Sequence, residues 1–384
     1  GNWKRHLAVV TFMTAWAMLG NFLYNSPARF YNWFFVVRDP FGLLPAADDS
    51  QAQVGNAVYQ HATDSVYRNP VFQPVLADPT VVFDAQTKTF YAYGTEDNWA
   101  DGQGARVVPV VASKNLVDWS YRGNAFKEKP SWKSAGNIWA PDINKVGHQY
   151  YLYYSFSTWG DEDPGIGLAI SDFPTGPFQD QGKVFSSKEV QVPNSIDPFY
   201  MEEQGIPYLF WGSFSSTEEQ GTYAIALQAD GRKPQDMRKK VKIAAGDFEA
   251  VMIHKKGPYY YFFGSKGSCC AGAESSYHVL VGRAKEALGP YVDREGRDLR
   301  ERGAGSLLIR GNGSYAGPGH NARLISDKNG LDWFLYHAID KTNPRLANGT
   351  TRRVLMLDPL LWTGGWPTIK DAEPSSTAIP KPEF

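Results

Sequence analysis

Three carboxylates carry the chemistry this sequence could perform: Asp78 in Ala77-Asp78-Pro79, Asp197 in Ile196-Asp197-Pro198, and Glu249 in Phe248-Glu249-Ala250. Each stands shortly upstream of an aromatic-rich run. Two further polar signatures, Ala140-Pro141-Asp142 and Gly317-Pro318-Gly319-His320, precede runs of their own in the same way. Hydrolysing a glycosidic bond takes one carboxylic acid to protonate the departing oxygen and one carboxylate to activate water or attack the anomeric carbon. A third carboxylate close by keeps the acid protonated through like-charge repulsion. One Asp-Pro dipeptide alone says little, because Asp before Pro is a common turn starter. Three acidic signatures at matched places in a repeat say more, with turn capping at each repeat's start as the plainer alternative.

The elements that position these groups are the aromatic runs: Thr89 to Gly94, Gln149 to Tyr154, Pro207 to Gly212, Pro258 to Gly264, and Asp332 to His337. Flat, bulky side chains pack well on a pleated surface, so each run reads as a strand. A repeat of about 40 to 50 residues with several short strands is the length of a propeller blade, and longer loops stretch it. The expected fold is therefore all-β, a five-bladed β-propeller with an N-terminal extension. If every signature opens the innermost strand of its blade, radial symmetry gathers the polar residues at one mouth of the central channel. No long amphipathic helical pattern follows residue 65, and turn-rich stretches such as Asp172 to Pro177 and Ala287 to Tyr291 fall late in their blades. The chain divides into residues 1–20, 21–65 (an extension or linker of unassigned role), 66–370 (the propeller) and a tail, 371–384.

The 384 residues carry 39 Lys and Arg against 40 Asp and Glu, a formal net charge of -1. That balance gives no electrostatic footprint for nucleic acid or an anionic membrane and suits a neutral substrate. The two cysteines, Cys269 and Cys270, are adjacent and cannot staple distant loops. They read as two small buried side chains beside the fourth-blade strand, with a vicinal disulfide as the alternative. Near the N-terminus Lys4-Arg5-His6 precede an apolar run from Leu7 to Gly20, and Ala15-Trp16-Ala17 has the spacing of a cleavage site. This reads as a secretory signal, pointing to a secreted or cell-envelope protein. The run is short for a membrane-spanning helix, and an apolar arm packed on the fold is the alternative.

Taken together, Ala77-Asp78-Pro79, Trp139-Ala140-Pro141-Asp142, Ser195-Ile196-Asp197-Pro198, Phe248-Glu249-Ala250, Gly317-Pro318-Gly319-His320 and Tyr336-His337-Ala338 resemble the signatures of glycoside hydrolase family 43. Ser265 to Gly272, then Ser275-Ser276-Tyr277, Val281-Gly282-Arg283 and Asn312-Gly313-Ser314-Tyr315, resemble the arabinan endo-1,5-α-L-arabinanases within it. The resemblance implies an inverting hydrolase of α-1,5-linked arabinan, with Asp78 as general base, Glu249 as general acid and Asp197 as pKa modulator. Base and acid would then stand about 6.5 to 9.5 Å apart, leaving room for the attacking water. It also implies a calcium or similar ion in the channel touching His320, with His337 as rival; no organic cofactor is expected, and the chain is expected to act as a monomer. An exo-acting arabinofuranosidase or β-xylosidase, and a non-catalytic carbohydrate-binding propeller, are the competing functions.

Among the remaining candidates, Trp139, Trp159, Trp211 and Phe214 could stack on furanose rings, Trp139 foremost. Asn194 and Ser195 flank Asp197 and could bond sugar hydroxyls or simply shape the turn. Asp142 suits blade locking as well as sugar contact. Asp161-Glu162-Asp163 reads as a solvated turn, and Asn312-Gly313-Ser314 and Asn348-Gly349-Thr350 match the glycosylation sequon.

Overall fold

The aromatic runs become the second strands of five blades, and the polar signatures lie on or beside the first. The computed structural model describes residues 65–384 apart from 213, 215 and 216. The expectations for residues 1–20 and 21–64 lie outside these described residues. Blade I consists of Thr80–Asp84, Thr89–Tyr93, Pro109–Ser113 and Ser120–Asn124. Blade II runs through Asn137–Val146, Gln149–Ser157, Gly165–Ser171 and Gln179–Ser186. Blade III is Ile196–Glu203, Ile206–Gly212, Gly221–Ala226 and Val241–Ala245. Blade IV is Glu249–Lys256, Tyr259–Lys266, His278–Ala284 and Ser306–Ile309. Blade V is Tyr315–Gly319, Asp332–Asp340, Arg353–Thr363 and Trp366–Thr368, with Ile325–Ser326 added on its second strand. Every pairing is antiparallel and follows chain order from the inside outward.

The second strands are buried on both faces because each blade is sandwiched between its neighbours. Tyr150, Leu152, Tyr153, Tyr154 and Phe156 are all buried in the second strand of blade II. That double burial is why these segments read as near-continuous apolar runs and not as alternating ones. One core cluster passes from Phe199 and Phe210 of blade III through Phe262 and Phe263 of blade IV to Phe334 and Tyr336 of blade V.

Closure of the ring corrects the expectation of a loose C-terminal tail. Val66–Tyr67 pairs with Ile379–Pro380, and Phe384 packs on Phe90 of blade I with ring centroids 4.6 Å apart. Apolar Ile379 and Phe384 thus find partners that a tail would have left in water. Asp142 also finds a definite role as a lock between blades. It pairs with Arg323 at 2.5 and 3.1 Å, and it accepts bonds from the Tyr200 amide at 2.7 Å and from Thr80 at 3.3 Å. Blades I, II, III and the segment after the first strand of blade V therefore meet on one buried carboxylate.

Candidate active site

Near the axis every blade holds one residue with left-handed backbone: Asp78 (φ 52°), Ala140 (φ 41°), Asp197 (φ 57°), Ala250 (φ 61°) and His320 (φ 44°). A residue with a Cβ occupies this region only at a cost of roughly 1–2 kcal/mol, so five such positions mark a shared device. In blades II, III and IV the pairing of first and second strands slips across this residue, a bulge that re-aims the local side chains. Counting from it refines the sequence alignment. Asp78, Asp197 and His320 occupy the left-handed position itself, Glu249 and Trp139 come one residue earlier, and Asp142 comes two later, level with Thr80. Asp142 is therefore not the blade II counterpart of Asp78, which is why it locks blades and does not reach the cavity.

The amide of each left-handed residue is tied to a side chain from the neighbouring blade. Ala140 N–H donates to Thr95 Oγ1 at 2.8 Å, Asp197 N–H to Ser155 Oγ at 2.9 Å, His320 N–H to Ser265 Oγ at 3.0 Å, and Asp78 N–H to His337 Nδ1 at 2.9 Å. In blade IV that side chain is a carboxylate: Ala250 N–H donates to Oδ2 of Asp197 at 3.0 Å. In the ladders Ser155, Ser265 and His337 pair with Trp139, Glu249 and Gly319, and their counterpart in blade III is Gly212, paired with Ile196. Glycine offers no hydroxyl, so the carboxylate of Asp197 takes its place and is fastened to the backbone beside Glu249.

The three acids reach one cavity of about 900 Å³, lined from all five blades by Asp78, Trp139, Asp197, Glu249, His320 and Arg353 among others. Asp78 accepts from Arg353 at 2.9 Å and from Thr95 Oγ1 at 2.5 Å, and His320 Nδ1 stands 3.2 Å from its Oδ1. Burial would raise its carboxyl, but Arg353 and His320 outweigh burial and hold it well below the usual carboxylate range. Glu249 is moved the other way. Burial first, and then the charge of Asp197, push its carboxyl up, against the opposing hydrogen bond from Tyr277. Burial also raises Asp197, with His320 pulling it back. Burial would lower the His320 ring, yet the Asp78 carboxylate prevails and raises it. Two carboxyls of one cavity are thus pushed in opposite directions, Asp78 down and Glu249 up, an arrangement that suits acid–base hydrolysis.

Other candidates separate on burial. Trp139 and Trp159 line the cavity with ring centroids 5.8 Å apart, Trp159 being 80% exposed, and Phe214 and Asn194 line it as well. Trp211 instead belongs to the blade core, stacked against Tyr223 and tilted against Phe185. Ser195 is also withdrawn from the cavity: it is fully buried, accepts from Trp211 Nε1 at 2.9 Å and donates to Val192 O at 2.8 Å. Asp161, read as part of a solvated turn, lines the cavity and pairs with Lys133 at 2.9 Å. Cys269 and Cys270 are disulfide-bonded to each other, and both face the cavity. Both sequon asparagines are engaged through Nδ2, Asn312 with Pro374 O at 2.8 Å and Asn348 with Asn98 O at 3.0 Å.

Arg353 and Thr95 lie outside the aromatic runs and acidic signatures and had no signal there, and Gly212, which closes the third run, gave no sign that a hydroxyl was missing. Tyr277 stood within a recognised string, but nothing in the sequence said that it would touch Glu249.

A metal finds limited support from the chain itself. Calcium takes six to eight oxygen ligands. Among the described residues no three His, Cys, Asp or Glu side chains are grouped to hold an ion. His337 is fully buried and already accepts from the Asp78 amide. The buried Oδ1 of Asn321, beside His320, has no protein partner. These residues do not form a calcium cage, and an ion beside His320 would be held chiefly by water.

This architecture recurs in known proteins. The chain is 32% identical over 320 residues to an extracellular exo-α-(1→5)-L-arabinofuranosidase of Cellvibrio japonicus, covering 76% of this chain and 86% of that one. It is also 32% identical over 305 residues to an extracellular endo-α-(1→5)-L-arabinanase of Bacillus subtilis, covering 77% and 87%. The structure of a Cellvibrio cellulosa α-L-arabinanase complexed with arabinohexaose matches with a TM-score of 0.67 at 30% identity, over 78% of this chain and 96% of that one. The sequence model of glycosyl hydrolases family 43 matches residues 67–367, the span of the propeller that gathers the three acids, and the chain belongs to that family.

Proposed function

We propose that this hydrolase cleaves α-1,5-L-arabinofuranosidic bonds of arabinan by inversion, acting within the chain. The observation that carries the reading is the convergence of Asp78, Asp197 and Glu249 on one cavity, where Arg353 and His320 push the Asp78 carboxyl down while burial and Asp197 push the Glu249 carboxyl up. Asp78, fixed by Arg353 and Thr95, takes a proton from water as it attacks the anomeric carbon. Glu249 gives its proton to the departing glycosidic oxygen. Asp197 keeps that proton on Glu249 by its charge and steadies the acid's strand through Ala250 N–H. Arabinan as substrate is supported by the names of the relatives. Endo action is supported by a cavity large enough for several rings and by aromatic faces at Trp139 and Trp159.

A time course on linear α-1,5-arabinan, wild type beside Glu249→Ala, tests the reading. Mixed short oligosaccharides appearing early, and absent in the variant, are expected. One small product from the outset would replace endo by exo action, and no product at all would overturn the arabinan reading.

Secretion is supported by the signal-like segment and by relatives named extracellular, and the N-terminal sequence of exported protein tests it. No helix among the described residues is long and apolar enough to cross a membrane. We propose that a water-held ion sits beside His320. Activity lost on chelation and regained on adding calcium is expected, and activity indifferent to chelation would overturn it.

A further inference from the structure

Three consecutive residues after the second strand of blade I face the site, and only two of them are satisfied. Thr95 bonds Asp78 and the Ala140 amide. Glu96 accepts from the Ile138 amide at 2.9 Å and pairs with Lys129 at 2.6 Å. Asp97 lines the same cavity as Asp78, Glu249 and Arg353, yet its Oδ2 is shut away from solvent with no hydrogen-bond partner. Native proteins rarely leave a buried carboxylate oxygen unpaired, and where they do the group calls for an explanation.

The placement of Asp97 is rigid. It pairs with Arg106 in a two-stranded ladder, Asp97–Asn98 against Ala105–Arg106. Arg106 in turn stacks over Trp99 at 4.1 Å and over Tyr121 at 5.0 Å. Asn348 donates to Asn98 O at 3.0 Å, tying this hairpin to the loop whose Thr350 and Thr351 line the cavity. These contacts hold the Asp97 backbone beside the cavity, with Oδ2 shut away from solvent. A molecule that enters the cavity can supply the missing partner.

We infer that Asp97 is a substrate-positioning residue whose Oδ2 accepts a hydrogen bond from a hydroxyl of the arabinofuranosyl unit seated beside Asp78. Furanose hydroxyls are donors, and the cavity is where they arrive. Burial, only partly offset by Arg353, pushes the Asp97 carboxyl up to about 7, so it is not a second copy of the firmly ionised Asp78. A bonded hydroxyl removes the unpaired acceptor and orients the ring for water attack. A site built to bond a substrate hydroxyl also rejects sugars that lack it there. The inference rests on the arabinan reading and deepens it.

The test compares wild type, Asp97→Ala and Asp97→Asn on linear α-1,5-arabino-oligosaccharides, reading kcat and KM separately together with the melting temperature. Asp97→Ala is expected to lower kcat/KM by about 10-fold, the order of one lost hydrogen bond, with melting temperature equal to or above wild type. Asp97→Asn, which keeps an acceptor oxygen, should recover part of that loss. On analogues deoxygenated one hydroxyl at a time, the loss should vanish for one analogue, because variant and analogue then remove the same bond. Turnover by Asp97→Ala close to wild type, or a lowered melting temperature with KM and kcat unchanged, overturns the inference while leaving the arabinan reading intact. Absence of turnover by the wild type overturns the arabinan reading and the inference with it.

Discussion

The hydroxyl of Tyr277 donates to Oε1 of Glu249 at 2.6 Å, while the Tyr277 ring lies parallel to that of His337, 5.8 Å away and inclined by 7°. The donor favours the ionised form of Glu249 and so opposes burial and Asp197. Tyr277→Phe therefore raises the Glu249 carboxyl further. The alkaline limb of the pH profile of kcat/KM should move to higher pH, while kcat falls about tenfold as the carboxyl loses its orientation. A limb that moves down would show that Tyr277 does not act on the acid in this way.

Asp197→Asn should move the same limb in the opposite direction. Glu249 must be protonated to work, so activity is lost as pH rises through its pKa. Removing the Asp197 charge removes the second-largest cause that holds this pKa up, and activity is then lost at lower pH. Asp78, held low by Arg353 and His320, leaves the acid side little changed. Measured pH profiles of wild type and variant decide it, and an unmoved alkaline limb would sink the modulator role.

Gly212→Ser should detach Asp197 from the acid's strand. A Cβ at Gly212 would meet Thr222 Oγ1 at 3.4 Å and Glu249 Cα at 3.5 Å, so a side chain fits with little adjustment. Its hydroxyl would sit where Ser155 and Ser265 have theirs and compete for Ala250 N–H. The expected result is a kcat lowered about tenfold with the melting temperature little changed. Gly212→Ala adds the same carbon without the hydroxyl and should keep wild-type turnover; equal losses in both variants would point to steric crowding instead.

Arg323→Met should destabilise the propeller without disabling the site. Arg323 is about a quarter exposed and Asp142 nearly buried, and the change leaves Asp142 without its cation. Removing one partner of such a pair costs about 3 kcal/mol, read as a lower urea midpoint at unchanged slope. Turnover well below the melting temperature should persist. A variant as stable as wild type but inactive would place Arg323 in the chemistry and not in the frame.

The sequence by itself determined the repeat and which carboxylates it gathers. Aromatic runs buried on both faces need no partner information to be read as blade strands, and acids at matched places along five repeats must converge once those repeats close into a ring. Asp78, Asp197, Glu249 and His320 were legible for that reason. What only the tertiary structure decided depends on contacts between blades, which have no local signal. Arg353 meets Asp78 across 275 residues of chain. Ser195, beside a catalytic signature, turns into the core because Trp211 supplies its donor there. Asp142, which follows a proline where Asp78 and Asp197 precede one, falls two residues past the left-handed position and becomes a lock. The protonation states that divide base from acid also belong to the folded molecule, since burial and neighbouring charge set them and neither exists in the extended chain.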